Sequence, residues 1–229
     1  MAASDAARAL LMHPHGQALL RLLLLPSTFA HADRLQARWP QQVRAQFDAA
    51  PALAGLMHRH ASAPWRAADA AVPAPSDLAD PLLPLATLPP PRFGRLVLWT
   101  GIAVLAPAIR RVIERDAVAR LRAQLGDDGL HFARFGTEPA SAADGSTTDL
   151  ADAAAACTDA GEAVCALAFQ QAGSPLVRAA ALRLSPRASA RAGSLASWGI
   201  GHAGQATALA LAVLDRLEPQ WRSSFPVAA

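Results

Sequence analysis

The chain predicts an all-α fold: a compact bundle of short helices with a Pro-rich connector and mobile loops. Three observations lead there. Apolar residues recur at three- and four-residue spacing over most of the sequence. No stretch sustains the alternation of a half-buried strand. Prolines and glycines fall between the periodic stretches, where helices start and stop. The 229 residues fit a single helical domain, 1–229, in which 52% of residues are apolar. Much of that fraction is alanine, so close helix packing is expected, with a modest number of large core side chains.

The region 8–62 is Ala/Leu-rich with helical spacing. Pro14, Pro26, Pro40 and Pro51 divide it into short helices. Leu19-Leu20-Arg21-Leu22-Leu23-Leu24-Leu25-Pro26, followed by Ala30-His31-Ala32, imitates a secretory signal with a small-x-small cleavage site. Arg21 leaves four uninterrupted leucines, against about seven to fifteen in a working signal core. An amphipathic helix is the preferred reading. Residues 63–92 hold Pro64, Pro73, Pro75 and the run Pro89-Pro90-Pro91, and read as an extended connector of polyproline character.

The centre resolves into three helical pieces, about 93–105, 107–114 and 116–125. Leu98, Ile102, Leu105, Ile109, Val112 and Ile113 form one buried stripe. Continuing that helix would carry Asp116 onto the apolar side, so a turn at 114–116 is expected, with Asp116 as the N-cap of the next piece. Val118, Leu121 and Leu125 form its stripe, and Gly126 stops it. Pro107 opens a helix or kinks one. Residues 130–135 alternate weakly and admit a short strand. Residues 136–149 form a flexible polar loop. Helix resumes near Leu150 and carries Val164, Leu167 and Ala168. Gly173-Ser174-Pro175 turns the chain into a helix with Leu176, Val177, Ala180, Ala181 and Leu184. Residues 185–193 are a second loop. The last helix, about 199–218, sets Ala203, Ala206, Ala210, Val213, Leu214 and Leu217 on one face, and Pro219 ends it.

Charge limits the partners. With no lysine, every firm cation is an arginine, and the net charge is +3. The arginines are scattered, which argues against a nucleic-acid partner. Cys157 and Cys165 would sit about 12 Å apart along one helix, too far to bridge. They read as two small buried apolar residues. The apolar run 96–109 is shorter than the about 20 residues a bilayer span needs, so a soluble, cytoplasmic protein is expected.

Gly199-Ile200-Gly201-His202-Ala203-Gly204 matches G-x-G-x-x-G but lacks the preceding strand and the room for a second one. A loose helix start or a close helix contact is the simpler account. A small helical cofactor-binding enzyme using this motif and His202 is the alternative function. His13-Pro14-His15 and His58-Arg59-His60 have no companion carboxylates or thiols at metal-ligand spacing, and read as surface or capping histidines. No serine sits in G-x-S-x-G. Catalytic, cofactor and metal sites are therefore all assigned none. Arg110, Arg111 and Arg115 cluster near a helix end. They either complement the helix C-terminus or form a docking surface for an acidic partner. Trp221 either covers the core or anchors an interface.

Several segments together resemble the SctK family of type III secretion systems, also known as YscK, PscK or OrgA. They are Pro26-Ser27-Thr28-Phe29-Ala30-His31-Ala32-Asp33-Arg34-Leu35; Trp99-Thr100-Gly101 with Arg110-Arg111-Val112-Ile113 and Leu121-Arg122-Ala123-Gln124-Leu125-Gly126; Gly161-Glu162-Ala163-Val164-Cys165-Ala166-Leu167; Leu182-Arg183-Leu184-Ser185-Pro186; and Leu217-Glu218-Pro219-Gln220-Trp221. The resemblance implies a non-enzymatic cytoplasmic adaptor of the sorting platform beneath the injectisome, serving virulence-associated protein secretion. Such an adaptor links the cytoplasmic domain of the inner-membrane ring protein SctD to the SctQ pods, and through them, indirectly, to SctL and the ATPase SctN. No cofactor, nucleic acid or direct membrane insertion is implied.

Overall fold

A computed structural model describes residues 8–37, 39, 41–63, 75–136, 150–170 and 172–225. The described residues form helices and no strand, so the fold is all-α. In chain order the α-helices are α1 (8–12), α2 (Gly16–Leu24), α3 (Ala32–Gln36), α4 (Gln41–Ala49) and α5 (Pro51–Ser62). There follow α6 (Leu83–Thr87), α7 (Pro90–Arg110), α8 (Arg115–Phe135), α9 (Ala153–Gln170) and α10 (Pro175–Ala180). The last are α11 (Ala188–Ala192), α12 (Ala203–Leu217) and α13 (Pro219–Ser223). Four 3₁₀ turns lie at Pro26–Thr28, Pro75–Ala79, Ala181–Arg183 and Gly193–Trp198.

The chain groups into two compact units. The first comprises residues up to Leu88, Ala172–Pro186 and the residues from Ser223 onward; the second comprises Pro89–Gln171 and Arg187–Arg222. Helical periodicity reports local structure and not which helices share a core.

In the first unit, α2 buries Leu19 and Leu22 completely. It packs with α10, whose Leu176 and Val177 are also fully buried, and α10 packs on α6. Two polar networks fix this unit. Ser27, 1% exposed, bonds Ser62 Oγ at 2.8 Å and donates to the His58 carbonyl at 2.9 Å, which staples the 26–28 turn to α5. Arg183, 6% exposed, donates to the carbonyls of Ala86 (2.7 Å) and Leu88 (2.5 Å) at the end of α6 and lies over the Phe29 ring. A helix ends with carbonyls that have no partner of their own, and a guanidinium there satisfies them and suits the negative end of the dipole.

In the second unit, α9 is the central element and packs on α7, α11, α12 and α8. It is apolar around most of its girth, as a buried helix must be. Its crossing with α7 rests on two glycines. A Cβ on Gly101 would strike the Cys157 backbone, and a Cβ on Gly161 would strike the Val97 carbonyl and lie 3.0 Å from the Gly101 nitrogen. The absent side chains let the two backbones touch. Trp99 packs against Phe132 of α8 at 4.7 Å between centroids. Gln124 of α8 accepts from the Ala153 N–H at 2.6 Å and so caps the start of α9.

Several expectations need correction. Helix α7 runs unbroken from 90 to 110 through Pro107; the packing of buried Val104, Leu105, Ala106 and Ile109 holds the helix across the missing N–H. The two pieces 93–105 and 107–114 are therefore one helix that ends at 110. Ile113 leaves the buried stripe and is 91% exposed. The turn does separate two helices, at 111–114, but Glu114 and not Asp116 is the N-cap, and no side chain caps it. Asp116 sits in the first turn of α8. Gly126 does break the helix, at φ +74, a conformation that glycine adopts without strain. Helical residues then continue to 135, so the short strand at 130–135 is not formed.

The expected loop at 185–193 contains α11. The connector 63–92 contains the 3₁₀ turn at Pro75–Ala79, α6 and the start of α7, with Leu78, Leu82, Leu83, Leu85 and Leu88 buried; Pro84, Pro90 and Pro91 occupy first-turn positions of helices, where a missing N–H costs nothing. The rest of that connector, 64–74, and the loop residues 137–149 lie outside the described residues.

Candidate functional site

The predicted interface residues all belong to the second unit. Arg110 is the last residue of α7 and Arg111 its C-cap, so both sit at the negative end of a helix. Arg115 is the first residue of α8, at a positive end. The dipole account therefore covers two of the three arginines and works against the third. All three are exposed, as are Glu114 and Asp116. Between them Ile113 projects into solvent, one of six large apolar side chains that are exposed among the described residues. Sequence reasoning missed it because the three-four stripe was carried past the end of α7. The available signal was the phase break itself: residues inside a turn have no obligation to follow either stripe.

Trp221 is half-buried on α13. The preceding Glu218 pairs with Arg92 at 3.4 Å, near the start of α7. Arg92 and Arg110 stand eighteen residues apart on one helix, about 27 Å. The structure thus brings the three arginines together around one turn and leaves Trp221 toward the other end of α7. A single small contact does not include both.

The glycine motif is absorbed in a helix start. Gly199 takes a left-handed φ of +75 and ends the 193–198 turn. His202 is the N-cap of α12 and its Nδ1 accepts from the Gln205 N–H at 3.3 Å, while Gln205 Oε1 accepts from the Gly201 N–H at 2.8 Å. This reciprocal arrangement follows the logic of a capping box. It commits the motif's N–H at Gly201 and the His202 ring to the protein itself.

The other candidate chemistry is likewise engaged in structure. Ser27 lies 3.0 Å from His58 Nδ1, but it is buried and its hydroxyl donates to a carbonyl. Cys157 is fully buried, and burial pushes its thiol up to about 12, so it is not a nucleophile at neutral pH. Cys165 is buried as well, and no disulfide involves either cysteine. Among the described residues no three His, Cys, Asp or Glu side chains gather as metal ligands would. An open cleft of about 370 Å³ at the Gly126 break is lined by Arg122, Asp127, Asp128, His131 and Arg134, all from α8. Arg122 and Asp127 pair across it at 2.6 Å and offset each other's charge.

Helix α7 is long and apolar enough to cross a membrane, with a mean hydropathy of 1.3 over its most apolar stretch, and it is longer than the apolar run seen in the sequence. Of that stretch 61% is buried against protein, as in the core helix of a bundle. No protein-family model, curated protein or solved structure matches the chain.

Proposed function

We propose that this chain is a cytoplasmic adaptor of a type III secretion sorting platform, an SctK-like protein that joins the SctD ring component to the SctQ pods and is needed for assembly and secretion. The observation that carries the reading is the likeness of segments spread over most of the sequence. Two of those segments, around Trp99-Thr100-Gly101 and Gly161-Glu162-Ala163, supply the glycines of the α7–α9 crossing. They are thus the residues around which the second unit is built. An adaptor acts through surfaces, and the exposed turn carrying Arg110, Arg111, Ile113 and Arg115 has the composition of one: an apolar side chain among three arginines and the carboxylates of Glu114 and Asp116.

The test is a deletion strain, scored for secretion and for SctQ foci at the cell envelope. Loss of both supports the adaptor. Persistent foci with continuing secretion refute it. Charge reversal at Arg110, Arg111 and Arg115 then asks whether that turn meets an acidic partner, and Trp221→Ala probes the opposite end of α7. The alternative, a helical cofactor-binding enzyme, requires that Gly199 and Gly201 substitutions abolish binding of a nucleotide. The use of Gly201 and His202 in the cap of α12 counts against it.

A further inference from the structure

The turn between α1 and α2 holds two histidines against the 223–225 segment, all within the first unit. The His15 N–H donates to His13 Nδ1 at 3.1 Å. That nitrogen is therefore an acceptor, and the neutral ring carries its proton on Nε2. His13 Nε2 is buried and has no hydrogen-bond partner. His15 Nε2 lies 2.6 Å from Ser224 Oγ. The Phe225 ring stacks on His15 at 4.3 Å and 14°, and tilts against His13 at 5.5 Å. Phe225 is 7% exposed, and the His15 imidazole stacks on its ring.

Adding a proton to His13 must use Nδ1, the atom that holds the His15 N–H. One event removes the bond that shapes the turn and places a charge in a half-buried site. A second proton, on His15, meets the first across rings only 5.9 Å apart. The charged residues carried by the adjoining elements are Arg8 on α1, Arg21 on α2, Arg178 on α10, which packs against α2, and Arg222 just before the segment. Among the described residues of these elements all the charged side chains are cations, and α6 and the 26–28 turn, which also pack on α2, carry no charged residue.

We propose that the His13–His15 turn is a proton-operated latch, which holds the 223–225 segment while both imidazoles are neutral and releases it on acidification. Burial lowers the pKa of His13, and burial followed by the charge of His13 lowers that of His15. With the folded values below the ordinary 6.5, the unfolded turn binds protons more readily. The hold is complete above pH 6.5 and is lost as pH falls through the depressed values.

The test is hydrogen exchange on the whole chain at about pH 7.5 and about pH 5, corrected for intrinsic rates. Peptides covering 219–225 should lose about tenfold in protection for each unit by which a histidine's titration is depressed. Peptides from the buried α6 and α10 should hold theirs. The double variant His13→Asn, His15→Gln keeps an acceptor near the Nδ1 position and a polar group near Nε2 but cannot titrate, and should show no pH-dependent step. The latch is overturned if 219–225 is equally protected at both pH values. It is equally overturned if α6 and α10 lose protection in step with the segment, or if the double variant keeps the pH response. None of these readouts depends on the adaptor reading.

Discussion

Gly161→Ala tests the α7–α9 crossing most directly. An alanine Cβ at 161 would lie 2.7 Å from the Val97 carbonyl carbon and 3.0 Å from the Gly101 nitrogen, with the Val97 oxygen closer still. Carbon atoms in contact prefer about 3.5–4.0 Å, so α7 and α9 must separate by about 1 Å or more to admit one methyl group. The obstructing atoms are backbone on both sides, and no rotamer change relieves them. Overpacking costs about 1–3 kcal/mol in ordinary cores and more where backbone must move. Alanine recovers about 1 kcal/mol of helix propensity over glycine. A net loss of about 2 kcal/mol or more follows. Gly94→Ala is the matched control: it lies on the same α7, exposed, with nothing within 4 Å of its Cβ. It should gain about 0.5–1 kcal/mol. Urea denaturation followed by far-UV circular dichroism measures both. If Gly161→Ala is as stable as the parent chain, the two backbones do not touch as described and the argument fails.

Three further outcomes follow from burial. Arg183→Met should destabilise the first unit by about 3 kcal/mol, since it strands the α6 carbonyls of Ala86 and Leu88; recovery by Arg183→Lys should be partial, because an ammonium lacks the planar fork, and thermal unfolding compares the two. Thr100 is fully buried and its hydroxyl has no hydrogen-bond partner, so Thr100→Val should raise stability by about 1 kcal/mol, seen as a higher urea midpoint at unchanged slope. Cys157 should resist a thiol reagent in the native protein at mildly alkaline pH and react once urea unfolds the chain; rapid native labelling, read by mass spectrometry of its peptide, would contradict the burial that raises its pKa to about 12.

How far the sequence reaches is seen by comparing particular elements. The three-four spacing of Leu98, Ile102, Leu105 and Ile109 was sufficient to read α7 as a helix; Ile102, Leu105 and Ile109 are buried and Leu98 is half-buried. The stop at Gly126 and the Ser174-Pro175 start of α10 were equally readable, since each depends on the local conformational preference of the residue itself. Pro107 was misread for the opposite reason. Its local cost is real, and the packing of its neighbours outweighs it. Residues 75–88 look extended by composition, yet fold as a 3₁₀ turn and a short helix because their leucines find a core in which α6 packs on α2 and α10.

The site divides in the same way. The sequence determined that Arg110, Arg111 and Arg115 cluster, as residues five apart at a helix boundary must. Tertiary structure decided that Ile113 is exposed among them and that Trp221 lies toward the far end of α7. It also brought His13 and His15 to Ser224 and Phe225 across some two hundred positions. By itself the sequence determined that this protein is helical and where many of its helices begin and end, because those outcomes rest on interactions among residues a few positions apart. Which helices cross, which glycines let them touch and which polar groups become buried were decided only in three dimensions, where residues remote in the chain compete for the same space.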